Sequence, residues 1–230
     1  MQMVILCGGL ATRLGKIAKK TPKSMIKIKN KPFLEYQIEN IKRHSIKDII
    51  LCVGHLSEQI EKYFGNGDKF GVNIKYSYDT NKPLGPIGAL KNAESLVDDI
   101  FFIMYGDSYL NVDFKKIANY FSNHNKLGLM VVYKNYNKFD KSNLIVNDKM
   151  IIAYGEKERT NDMIYIDYGT SLLNKKVLNL IPKNTFYKTG QLFSNLISKN
   201  ELLAYEVKER FYHIGNLDAL NEFKAFIESQ

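Results

Sequence analysis

The sequence predicts an α/β fold with a doubly wound, mostly parallel sheet, and three observations carry that prediction. Residues 3–7, Asp48–Val53 and Ile100–Tyr105 are short and almost unbroken apolar runs, as in strands buried on both faces. Between the first two, Leu34, Ile38 and Ile41 recur at i, i+4, i+7; after the second come Leu56, Ile60, Tyr63 and Phe64, also at helical spacing. Each apolar run leads straight into glycine: Gly8-Gly9, Gly54 and Gly106. Strands alternating with helices form βαβ units with parallel strands and right-handed crossovers, a Rossmann-like arrangement.

The elements follow in order. Residues 32–44 form a helix with Pro32 near its first turn. Asp48–Val53 is the second strand and Gly54 opens a turn. Ser57 suits the N-cap of the next helix, which Gly65-Asn66-Gly67 stops. Asn73–Tyr78 is a third strand. Gly85 and Gly88 precede a helix and bring the backbone close to a neighbour or a ligand. The fourth strand, Ile100–Tyr105, ends in Gly106-Asp107-Ser108. A helix over 113–123 turns Phe114, Ile117 and Phe121 inward, and 127–133 is a strand. Residues 135–142 are polar and aromatic, hence a loop. Residues 143–146 and Met150–Tyr154 form a hairpin through the three-residue loop Asn147-Asp148-Lys149. The β/α alternation stops there, so one domain divides into residues 1–134 and a smaller β/α lobe, 135–230. Short helices over Lys175–Leu180 and 191–197, a strand over Leu202–Val207 and a last helix with Leu220, Phe223 and Ile227 inward complete it.

With 230 residues the chain can bury a sizeable core, and 45% hydrophobic with 25% charged residues indicates a soluble globular protein. No apolar run approaches the ~18 residues of a membrane span, and no signal peptide is read at the N-terminus. Cys7 and Cys52 each fall in a buried strand, which suggests reduced core thiols and a cytoplasmic protein. The net charge of +9 arises from dispersed lysines without a block of five like charges, so neither nucleic acid nor a membrane is expected as a partner.

The chemistry concentrates in the first twenty-five residues. After the first strand, Gly8-Gly9 allows a sharp turn whose N–H groups converge as an anion nest. Arg13 can fork onto phosphate oxygens and Lys23 adds a second, mobile cation. The same glycines also suit a tight turn with no ligand. The full string Leu6-Cys7-Gly8-Gly9-Leu10-Ala11-Thr12-Arg13-Leu14, with Thr21-Pro22-Lys23-Ser24-Met25 at this spacing, resembles the signature of the sugar-phosphate nucleotidyltransferases, the nucleoside-diphosphate-sugar pyrophosphorylases. The resemblance extends over essentially the whole chain.

That resemblance implies a nucleotidyltransferase fold of the GT-A-like type and an enzyme moving a nucleoside monophosphate, from CTP or GTP, to a sugar 1-phosphate for cell-surface polysaccharide precursors. Leu6 to Arg13, Lys23, Gly85 and Gly88 would bind nucleotide, and Arg13, Lys23 and Asp107 would be catalytic. Asp107, a carboxylate at the end of a central strand, matches the family's Mg²⁺ aspartate, although an Asp there can simply shape a turn. Glu156 and Lys157 match an acceptor-phosphate Glu-Lys, or form a surface pair. Asp167, Tyr168 and Gly169 resemble the segment lining the acceptor pocket; Asp167 equally suits a strand-end turn.

Departures from the pattern stand at Pro86 for threonine, Ser24 for proline, His213 for the second metal aspartate, and Asn216-Leu217 for Thr-Pro. His213 has three readings: hydrogen bonding to metal water or phosphate, ligation of a softer ion such as Mn²⁺, or a structural role. Ser24 and His213 keep an alternative acceptor open, a phosphorylated non-sugar such as phosphocholine or phosphoglutamine used with CTP. The expected partners are therefore a nucleoside triphosphate and a small phosphorylated metabolite, acting on a monomer or homodimer. A dinucleotide oxidoreductase is disfavoured, since the glycine loop lacks a third glycine and carries Arg13.

Overall fold

A computed structural model describes residues 1–9, 20–79, 82–155 and 158–230. The first strand, β1 (Gln2–Leu6), is buried at all but its last residue. Two short paired strands, β2 (Lys27–Ile28) and β3 (Lys31–Pro32), lead into α1 (Phe33–Arg43), which buries Leu34, Ile38 and Ile41 as the spacing predicts. The strands β4 (Asp48–Val53) and β5 (Asn73–Tyr78) flank α2 (Ser57–Phe64). Ser57 is the first residue of that helix, not its cap. Leu56 holds the cap position at φ 60° with no side-chain bond, and the Ser57 N–H is taken by the Gly54 carbonyl at 3.1 Å.

Next come α3 (Gly85–Asn92), β6 (Ile100–Tyr105), β7 (Ser108–Tyr109) and α4 (Phe114–Ser122). The Asp113 carboxylate caps α4 by accepting from the N–H groups of Lys115 and Lys116, both at 3.1 Å. The second half holds β8 (Gly128–Lys134), β9 (Leu144–Asn147), β10 (Met150–Tyr154) and β11 (Tyr165–Asn174). It continues with α5 (Thr189–Ser198), β12 (Leu202–Val207), β13 (Tyr212–His213) and α6 (Leu217–Glu228). The β9–β10 turn has two central residues rather than three: Asn147 pairs with Met150, and Asp148 and Lys149 take φ of 43° and 65°, as a tight hairpin requires. The short helix expected over Lys175–Leu180 is present as a 3₁₀ helix with those bounds.

The main sheet has the order β5-β4-β1-β6-β11-β8-β12-β10-β9. Strands β5, β4, β1 and β6 are parallel, as are β8 and β12, while β10 and β11 run against their neighbours. From sequence, residues 167–169 read only as a pocket segment, whereas they belong to the long central strand β11. It joins the two halves into one sheet, and its pairing with β8 shifts register between Asp167 and Ser171, around Gly169 at φ +96°. Alternate residues of each central strand face opposite layers: Met3, Ile5 and Leu51 pack in one, Val4, Ile50 and Phe101 in the other. Burial on both faces pins the strands, and thereby fixes the turns at their carboxyl ends. Among the described residues no helix is long and apolar enough to cross a membrane.

Candidate active site

A cleft of about 640 Å³ opens where β1, β4, β5 and β6 end, the edge at which α/β sheets place ligands. Leu6, Cys7, Gly8 and Gly9 line it from β1, and Gly106 and Asp107 from β6. Glycine is demanded at 106, where a Cβ would come 2.8 Å from the Leu6 carbonyl oxygen and force β1 and β6 apart. At Gly9 a Cβ would meet no described atom within 4 Å, so none of the described residues requires glycine there, and on their side the cleft wall is open to a ligand. Burial pushes the Cys7 thiol up to about 12, so it is a packed wall group, not a nucleophile. Residues 10–13, including Leu10, Ala11, Thr12 and Arg13, lie outside the described residues.

Lys23 and Asp107 meet across the cleft in an ion pair, Nζ on Oδ2. Lys23 starts a short 3₁₀ turn behind the extended Pro22, and the buried Ser24 anchors that turn at the cleft wall. The β13–β7 pairing sets His213 opposite Ser108, next to Asp107. His213 Nδ1 accepts from the Gly215 N–H at 3.0 Å, so the neutral ring carries its proton on Nε2. Burial lowers the His213 pKa and keeps the ring neutral at neutral pH. Neither nitrogen then presents a free lone pair to a metal; Nε2 is a donor, 3.9 Å from Asp140 Oδ2. Among the described residues no three His, Cys, Asp or Glu side chains gather as a metal cage. One carboxylate beside a triphosphate cradle nonetheless fits Mg²⁺, which keeps few protein ligands and takes phosphate oxygens.

At the other wall stands Asp79, directly after β5. Its Oδ2 lies 3.1 Å from where a Gly54 Cβ would be, so Gly54 makes room for this carboxylate, while a Gly8 Cβ would meet it at an ordinary 3.5 Å. Oδ1 is buried without a hydrogen-bond partner, and burial raises the carboxyl's pKa against the nearby Leu84 N–H, which lowers it. Sequence reasoning missed Asp79, although it carries the same signal as Asp107: an acid at the carboxyl end of a strand. The two glycines of α3 serve a different purpose than expected. Gly85 lines the cleft, but a Cβ there would meet the Tyr187 carbonyl at 2.9 Å and the Phe186 ring at 3.2 Å. Gly88 does not line the cleft, and a Cβ there would stand 2.6 Å from the Thr185 carbonyl. Both make room for residues 185–187 of this chain.

The far end is layered. Tyr105, Tyr154 and Thr189 line it, and the Tyr105 hydroxyl donates to Asp167 Oδ2 at 2.7 Å. The second Asp167 oxygen accepts from the Gly169 N–H at 2.8 Å, and burial pushes its carboxyl up to about 6. Asp167 thus backs Tyr105 rather than lining the cleft. Tyr168 and Gly169 do not reach the cleft either. The Tyr168 ring is buried against Phe211 with its hydroxyl on the Glu209 carbonyl, and the space over Gly169 is filled by Ser108, whose Oγ would lie 2.7 Å from a Cβ. Glu156 and Lys157 lie outside the described residues.

The chain is similar in sequence and in fold to known proteins. D-glycero-alpha-D-manno-heptose 1-phosphate guanylyltransferase of Campylobacter jejuni is 37% identical over 182 residues, 78% of either chain. UTP–glucose-1-phosphate uridylyltransferase of Synechocystis is 29% identical over 214 residues, 86% of this chain, which spans 55% of that protein's length. The crystal structure of HddC from Yersinia pseudotuberculosis complexed with GMP-PN superposes with a TM-score of 0.82 at 25% identity, covering 98% of this chain and 99% of that one. The family model for nucleotidyl transferase matches residues 2–230, and the chain belongs to that family.

Proposed function

We propose that this enzyme transfers GMP from GTP to the phosphate of a sugar 1-phosphate, releasing pyrophosphate, in the cytoplasmic synthesis of cell-surface polysaccharide precursors. The observation that carries the choice of base is Asp79. A carboxylate with a free buried oxygen seeks two N–H donors side by side. Guanine offers them on N1 and the N2 amino group; cytosine and adenine offer one amino group beside an acceptor, and uracil one N–H between two carbonyls. The guanylyltransferase relatives support the same base and a sugar phosphate as acceptor.

In this reading residues 1–134 hold the nucleotide and 135–230 the acceptor. An acceptor phosphate oxygen attacks the α-phosphorus in line; the new P–O bond forms as the bond to the β-phosphate oxygen breaks, and pyrophosphate leaves with that electron pair. Such a transfer needs alignment and charge neutralisation more than covalent help. The Gly8 and Gly9 amides and Arg13 grip the β- and γ-phosphates. Asp107 would hold Mg²⁺, or Mn²⁺, which when bound supplies charge neutralisation on the triphosphate. Lys23 leaves Asp107 for the α-phosphate, since the phosphate is the denser anion. His213 donates Nε2–H to a phosphate oxygen. Glu156 and Lys157 orient the acceptor, and Asp167 fixes Tyr105 to receive its hydroxyls. The enzyme acts as a monomer or a homodimer.

Pyrophosphate release from the four nucleoside triphosphates against heptose, mannose and glucose 1-phosphates and phosphocholine tests the proposal. GTP with a hexose or heptose 1-phosphate should give the highest kcat/KM. Preference for CTP with phosphocholine would overturn it.

A further inference from the structure

Phe186 is a large apolar ring left 52% exposed at the cleft rim. A lone exposed phenylalanine means little by itself. This one is held in place. The Tyr187 carbonyl accepts from the N–H groups of Ile87 and Gly88 at 3.1 and 3.3 Å, and the Tyr187 N–H donates to the Leu84 carbonyl at 2.8 Å. The bare Gly85, at φ +71°, lets the ring edge lie against the backbone, with Cε2 3.2 Å and Cδ2 3.4 Å from where a Cβ would be. Two glycines and three backbone bonds therefore hold in place a ring that keeps about half of its surface outside the protein.

Its position relates it to Asp79. The N–H of Leu84 faces the Asp79 carboxylate, and the C=O of the same residue accepts from Tyr187. The edge-reading acid and the ring thus stand on either side of Leu84, and both line the same cleft along with Pro83, Pro86 and Ala89. A planar base that reaches Asp79 with its edge passes this apolar rim with its face.

Building on the proposed nucleotide specificity, we infer that Phe186 is the stacking face of the base subsite, contributed by the loop before α5 from the acceptor half of the chain. It is a specificity-determining residue that favours the larger purine surface and touches neither phosphate nor metal.

Equilibrium binding of GTP to the full chain without acceptor tests this, with wild type, Phe186→Ala and Phe186→Tyr, and with inorganic tripolyphosphate as a probe lacking the base. Phe186→Ala should weaken GTP about tenfold or more, the scale of a lost base–aromatic stack. Phe186→Tyr should restore binding to within about threefold, because it keeps the ring. Tripolyphosphate should bind wild type and Phe186→Ala alike, and the KM for sugar 1-phosphate should not move. Unchanged GTP affinity in Phe186→Ala would overturn the inference, as would an equal loss for tripolyphosphate, which would mean that the loop had collapsed. If wild type bound CTP in preference to GTP, the guanine reading would fall; the same loss in Phe186→Ala would still uphold the stacking face. A wild-type chain that bound no nucleoside triphosphate would refute both.

Discussion

The two ends of the cleft are built differently. At the nucleotide end, Gly8, Asp79 and Asp107 each stand within two residues of the end of a parallel strand, β1, β5 and β6 respectively. Their positions are set by strands that are largely buried, and they line the cleft themselves. At the acceptor end the acid is one layer back: Asp167 sits at a register shift in the reversed strand β11 and acts through the Tyr105 hydroxyl. A direct wall should answer mutation in turnover and base choice. A layered wall should answer first in stability and pH dependence.

The sharpest test of the direct wall is the Lys23–Asp107 pair. Lys23→Ala and Asp107→Ala should each lower turnover by about 10²–10³-fold, as losing one charge-stabilising group does in other transfer enzymes. The fold should survive, since a partly exposed ion pair contributes about 1 kcal/mol or less. Arg13→Ala should behave likewise. Single-turnover pyrophosphate release alongside thermal melts separates the two effects; near wild-type turnover in any of these variants would remove that residue from the chemistry.

Asp79→Asn should have the next largest effect. Asparagine replaces one acceptor oxygen by a donor, so the guanine N2 amino group loses its partner. The kcat/KM for GTP should fall about 10–100-fold, the range of a lost bidentate base contact. Xanthosine triphosphate, with a carbonyl where guanine has the amino group, should become a better substrate than it is for wild type. If GTP use were unaltered and XTP still rejected, the base would be read elsewhere.

The same contrast explains what the sequence made legible. Asp48–Val53 and Ile100–Tyr105 can be bounded from sequence because the apolar run and the buried strand coincide. β11 cannot. Asp167, Gly169, Thr170 and Ser171 look like turn formers, and only tertiary partners make them a strand: the Thr170 hydroxyl donates to the Ile103 carbonyl at 2.8 Å, and Ser171 pairs with Ile103 and Met130. Gly85 and Gly88 announce a close backbone approach, but their spacing does not reveal that the approaching group is the chain's own segment 185–187. Asp79 carries the same signal as Asp107, an acid at a strand end, but its strand Asn73–Tyr78 is less apolar than Ile100–Tyr105 and stands out less in the sequence.

The smallest effect belongs to the layered wall. Burial raises the Asp167 carboxyl to about 6 from its ordinary 3.8. Between those values the folded protein binds this proton more tightly than the unfolded chain, so stability falls as pH rises through the window and levels off above pH 6. At neutral pH the ionised carboxylate is therefore a cost, of about 1–2 kcal/mol after allowance for its partial contact with solvent. Asp167→Asn cannot ionise and keeps one acceptor oxygen for the Gly169 N–H or the Tyr105 hydroxyl. Its melting temperature should exceed wild type by a few degrees at pH 7.5, and the difference should shrink steadily towards pH 4. The KM for the acceptor should rise while that for GTP stays put, because the change lies behind Tyr105 and away from Asp79. A variant with the same melting difference at every pH would show that the gain comes from packing and not from the charge; a rise in the KM for GTP would erase the distinction between the two walls.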